Sequence, residues 1–94
     1  MPHDKQRLID FEEHRPRLQR LAHRMLASLS EAEDVVQDAW LRWCEVVDGV
    51  DTPGAYLTRI VTRLCIDRMK SARHRREHYA GAWIPEPLMG AVNP

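Results

Sequence analysis

From Thr52 to Arg76 the chain reads TPGAYLTRIVTRLCIDRMKSARHRR, and the spacing of its apolar residues points to a single kind of element. Leu57, Ile60, Val61, Leu64 and Cys65 recur at steps of three and four, which places them on one face of a helix turning about 100° per residue. Thr52 followed by Pro53 fits an N-cap with proline at the first helical position, where the missing N–H costs nothing and the ring pre-sets φ. The spacing therefore predicts a helix near residues 53–79 with that face buried. The opposite face carries Arg59, Arg63, Lys70 and Arg73, with Thr62 at its border. Residues 59–76 hold seven Lys and Arg against one acid, Asp67. A partner with dense negative charge is implied, nucleic acid being the commonest, and a merely solvated basic face is the plain alternative.

The charge is partitioned along the chain. Formal net charge is zero, yet residues 31–51 carry seven acids and one base, Arg42, whereas residues 59–76 stand at plus six. Ninety-four residues suffice for one domain with one modest core and leave little room for a deep pocket, so no enzyme and no cofactor are expected. Cys44 and Cys65 follow no metal-ligand spacing and read as small core residues in a reducing compartment, which implies a cytoplasmic protein. No apolar run approaches the roughly twenty residues needed to span a bilayer, and the N-terminus, with Asp4, Lys5 and Arg7, has no signal-peptide core.

Two more helices precede the basic one. Phe11, Leu18, Leu21, Ala22, Met25 and Leu26 keep helical spacing, and Asp10 with Glu13 matches a capping box, although Leu8 and Ile9 allow an earlier start. Pro16 removes a backbone donor, so a kink or a second helix start is expected near it. Ser30 with Glu33 makes another capping-box match and predicts the start of the next helix. Val35, Val36, Ala39, Trp40, Trp43 and Val47 form its apolar stripe, while Asp34, Gln37, Asp38, Leu41 and Glu45 form a separate face. Acids around an exposed leucine are the mixture expected of a protein contact surface. Asp48-Gly49-Val50-Asp51 is turn chemistry. Beyond Ala80, Pro85 and Pro87 forbid a helix, so residues 81–94 read as an extended linker. The fold class is all-α, a compact bundle of three main helices near residues 5–27, 31–47 and 53–79, the first kinked or split at Pro16.

The helix EAEDVVQDAWLRW, a short polar loop and then PGAYLTRIVTRLCIDRMKSAR resemble region 2 of bacterial RNA polymerase sigma factors of the extracytoplasmic-function type, over residues 11–80. Asp34, Gln37, Leu41 and Arg42 match as a set, as does Arg59 with Ile66-Asp67-Arg68. The resemblance implies that the acidic helix, through Asp34, Gln37, Asp38, Leu41, Arg42 and Glu45, binds the β′ clamp helices of core RNA polymerase. It likewise implies that the loop Asp48, Gly49, Val50 and Asp51, with Tyr56, Arg59, Thr62, Arg63, Lys70 and Arg73, recognises the non-template strand of the promoter −10 element and helps melt it. An anti-sigma factor, or the protein's own C-terminal domain, is a further partner that the resemblance allows. The family often has Trp-Leu where this chain has Tyr56-Leu57, and asparagine where it has Arg63. The tail Trp83-Ile84-Pro85-Glu86-Pro87-Leu88 is similar to the linker of a subgroup with a C-terminal SnoaL-like domain. On this reading residues 1–80 are an excised region 2 domain and 81–94 its linker.

The residues agree with this division by their own chemistry. A basic helix attracts phosphates, whereas an acidic helix cannot bind the same polyanion and suits a basic protein surface. Only Tyr56 offers an aromatic near the loop, so a pocket for a turned-out base would rest on loop backbone, which Gly49 permits. Two rivals remain. A protein-interaction bundle would use both faces without nucleic acid. His74-Arg75-Arg76-Glu77-His78 matches the literal H-x-x-E-H pattern of a metalloenzyme, with Glu86 the only downstream acid for a third ligand, but its arginines would repel a dication.

Overall fold

The computed structural model describes the backbone of residues 2–47 and 49–83, and the side chains of residues 5–47 and 49–78. Three helices account for almost all of it: α1 (Pro2–Leu26), α2 (Leu29–Cys44) and α3 (Pro53–Trp83). Each packs against the other two. The apolar stripes meet along the common seam, where Phe11, Leu18 and Ala22 of α1 face Ala32, Val35, Val36, Ala39 and Trp43 of α2 and Leu57, Val61 and Cys65 of α3. Trp40 is half-buried and meets the Phe11 ring edge-on, with centroids 5.2 Å apart. Among the described residues no buried side-chain polar atom lacks a hydrogen-bond partner.

Helix α3 begins at Pro53, as its Thr-Pro signal predicts. Other boundaries differ. Helix α1 starts at Pro2 and runs unbroken through Pro16, so Asp10 is not a cap and the helix is not split. Asp10 accepts instead from Gln6 Nε2, one turn earlier, at 2.9 Å. Pro16 is exposed, and on the solvent side a carbonyl deprived of its helical donor can be hydrated. The α1–α2 turn places Ala27 at φ 55, with its N–H donating to the His23 carbonyl at 2.8 Å, a left-handed helix cap. Ser28, not Ser30, then caps α2 by accepting from the Glu31 N–H at 3.3 Å.

Helix α2 ends at Cys44, three residues before the expected 47, and Val47 is 82% exposed, not part of the buried stripe. The Glu45 and Val46 N–H groups close a tighter last turn on the Arg42 and Trp43 carbonyls, which takes Val47 out of helical register. Helix α3 continues to Trp83, beyond the expected fraying point and three residues into the expected linker. The proline-containing tail from Ile84 onward, with its likeness to the SnoaL-bearing subgroup, lies outside the described residues.

Candidate nucleic-acid and protein interfaces

Rotation along α3 separates three kinds of side chain. Leu57, Val61 and Cys65 point inward, and Ile60 and Leu64 are half-buried beside them. Arg59, Arg63 and Lys70 are exposed and, with Thr62, Ile66 and Asp67, line one open groove. A second groove adjoins it, sharing Arg59, Arg63 and Asp67 and adding Tyr56 and, from α2, Arg42. Arg42 thus stands at the border between the acidic face of α2 and the basic groove. Tyr56 is half-buried, its ring 5.8 Å from that of Trp43 and tilted by 52°. Arg73 lies further along the helix, where its Nε donates to Glu77 Oε1 at 3.1 Å. That pair is exposed on both sides and contributes little to stability.

On α2, Asp34, Gln37, Leu41 and Arg42 are exposed, as is Glu45 at its C-cap, and Asp38 is half-buried. These acids are not simply free, as their charge alone suggests. Arg68 of α3 reaches across to them, Nη1 lying 3.8 Å from Glu31 and 4.0 Å from Asp34, and Nη2 3.7 Å from Asp38. One guanidinium is shared by three carboxylates, so the acidic face keeps a negative balance while being tied to the basic helix. Arg68 counts toward the basic stretch in composition, yet it belongs to the α2 side in space. Its register carries the signal: it lies three residues after Cys65 and seven after Val61, on the inward face. Burial pushes the Cys65 thiol up from its ordinary range, and the nearby Arg68 charge partly offsets that shift.

The loop joining α2 to α3 brings Gly49, Val50 and Asp51 to the head of the basic helix, while Asp48 lies outside the described residues. Gly49 has φ 110, a conformation that side chains rarely adopt, and nothing stands within 4 Å of where a Cβ would be. The turn therefore needs glycine for its backbone and not for space. Val50 packs against the core, and Asp51 is exposed. Gly49 and Val50 line a hollow of ≈ 130 Å³ whose other walls include Arg7, Trp43, Val46 and Pro53.

The His74 to His78 segment sits where α3 has left the core. Glu77 is engaged by Arg73, and among the described residues no three metal-ligating side chains gather. Glu86 lies outside the described residues. Among those residues, too, no helix is long and apolar enough to cross a membrane.

Comparison with known proteins adds an independent line. A family model described as sigma-70 region 2 matches residues 11–75. The chain is 45% identical over 84 residues to the ECF RNA polymerase sigma factor SigJ of Mycobacterium tuberculosis, covering 89% of this chain and 27% of that protein. To the probable ECF RNA polymerase sigma factor SigI of the same species it is 42% identical over 65 residues, 68% of this chain and 22% of the relative. To the ECF RNA polymerase sigma factor SigW of Bacillus subtilis it is 33% identical over 74 residues, 76% of this chain and 38% of the relative. The chain thus spans well under half the length of these relatives. No solved structure gives a significant match.

Proposed function

The chain belongs to the sigma-70 region 2 family of ECF type, and from that premise we propose that it binds core RNA polymerase and recognises and melts the promoter −10 element. The observation that carries this reading is the division of charge between two faces of one rigid bundle. The α2 face, with Asp34, Gln37, Asp38 and the 55% exposed Leu41, presents an apolar contact ringed by acids, suited to a basic helical surface such as the β′ clamp helices. The α3 grooves present Arg59, Arg63 and Lys70 to a polyanion, with Thr62 and Tyr56 beside them. In the protein's own terms, phosphates are held by α3 while the loop around Gly49 supplies a concave backbone for a base turned out of the non-template strand. Such work places the protein with the transcription machinery in the cytoplasm. It calls for no catalytic group.

The test is capture of core RNA polymerase in parallel with binding to single-stranded −10 oligonucleotides. Neutralising the acidic face with Asp34→Asn and Asp38→Asn should weaken polymerase capture about tenfold or more, near 1.4 kcal/mol, and leave oligonucleotide binding intact. Neutral substitutions are the better probe because arginine at either position would crowd Arg68. Unchanged polymerase capture would move the contact off α2, and capture of polymerase without any oligonucleotide binding would favour a purely protein-binding module.

A further inference from the structure

The first turns of α1 reach the loop between α2 and α3 through one side chain that no charge pattern singles out. Arg7 donates from Nη1 to the Trp43 carbonyl and from Nη2 to the Val46 carbonyl. Its guanidinium lies over the Trp43 ring, 5.6 Å from the centroid. The Trp43 indole answers by donating from Nε1 to the Arg7 carbonyl at 3.0 Å, so the contact closes on itself. The Trp43 carbonyl lies in the last turn of α2 and the Val46 carbonyl two residues past its end, where the helix dipole is negative, so a planar fork of N–H groups is well matched to them.

Among the described residues few other contacts define the loop. Its backbone hydrogen bonds among those residues lie at the two ends, Glu45 and Val46 to α2 and Tyr56 to Thr52, and Val50 packs against the core. Arg7 also forms part of the wall of the ≈ 130 Å³ hollow that Gly49 and Val50 line. It therefore ties the first turns of α1 to the stretch of chain that leaves α2 and enters that hollow. We propose that Arg7 is a positioning residue for base selection: it holds loop 45–52 in the shape that discriminates among −10 bases, without itself touching nucleic acid. This rests on the reading of the loop as the element that receives a base.

The experiment uses the whole chain with Arg7→Ala and Arg7→Lys, and a third variant with loop 48–51 exchanged for that of a relative. Each is measured against single-stranded −10 oligonucleotides varied one base at a time, for the dependence of affinity on salt, and for capture of core polymerase. With Arg7→Ala the ratio between best and worst base should shrink at least fivefold, while the salt slope and polymerase capture stay as in the wild type. Loosening of the whole fold would instead lower all three together. Arg7→Lys keeps the charge and the stem over Trp43 but cannot bridge two carbonyls in one plane, so it should lose selectivity while remaining folded. Selectivity retained in Arg7→Lys overturns the proposal, even where Arg7→Ala is too unstable to measure. A salt slope flattened by about 0.7 would make Arg7 a phosphate contact and overturn it as well. A preference that follows the exchanged loop but survives Arg7→Ala overturns this inference alone. A preference indifferent to the loop exchange overturns the loop reading, and this inference with it.

Discussion

Ala27 holds a φ of 55, and its Cβ makes that left-handed conformation cost about 1–2 kcal/mol relative to glycine. The turn is kept because the Ala27 N–H satisfies the His23 carbonyl and frees Ser28 to cap α2. Glycine removes the strain but adds freedom to the unfolded chain, which takes back about 0.4–1 kcal/mol. Ala27→Gly should therefore stabilise the domain by about 0.5–1 kcal/mol and raise Tm by about 2–8 °C. An unchanged or lower Tm would show that the turn is not strained. Cys65 offers a second measurement at this scale. Its thiol titrates above the ordinary range because burial disfavours the thiolate. The unfolded chain then loses that proton at lower pH than the folded one, so the associated stability is intact below about pH 8.5 and is lost as pH rises from there through the raised folded value. Denaturation midpoints taken across that alkaline range should fall less steeply in Cys65→Ala than in the wild type. The same burial should shield Cys65 from alkylation in the native state while exposed Cys44 reacts.

At the scale of the helix, α3 does two jobs along its 31 residues. Its inward face continues past Cys65 to the half-buried Arg68 and Ala72, whereas residues 73–78 are all exposed, so that stretch stands away from the core as a basic arm. An unpacked helical arm depends on propensity and on i,i+4 pairs such as Arg73 with Glu77, each contributing a few tenths of a kcal/mol. Charge on such an arm is held in place loosely, which suits contact with phosphates more than with base edges. If Arg59, Arg63, Lys70 and Arg73 meet three or four phosphates of a single strand, log affinity should fall with log salt at a slope of about −2 to −3. Lys70→Ala should flatten the slope by about 0.7 and weaken binding equally for every sequence. A base-selective loss at Lys70 would contradict a phosphate contact.

For the molecule as a whole, stability and recognition draw on different residues. Each fully buried side chain such as Phe11, Leu18 or Leu57 contributes about 1.5–3 kcal/mol, whereas an exposed ion pair such as Arg73 with Glu77 contributes about 0–1. The charged faces are thus largely free to be spent on partners, and the bundle can present opposite signs on two sides with a net charge of zero. The helical class, the three apolar stripes, the start of α3 at Pro53 and the partition of charge were all determined locally, because 3.6-residue periodicity and an N-terminal proline act within a few residues of themselves. Other features had no such local owner. Ser28 with Glu31 and Ser30 with Glu33 both satisfy the capping pattern, and only the left-handed turn at Ala27 and the burial of Ala32 select the first. Val47 fits the stripe of α2, but the last turn tightens and takes it out of register, and Arg7 bonds the Trp43 and Val46 carbonyls there. Arg68 reads as one more base on α3 until the packing of two helices sets it among three acids of α2. The contact between Arg7 and Trp43 joins residues 36 apart in the chain and leaves no mark on the pattern of either segment. Periodicity is written residue by residue, whereas the direction of a polar side chain depends on which surface the fold brings opposite it.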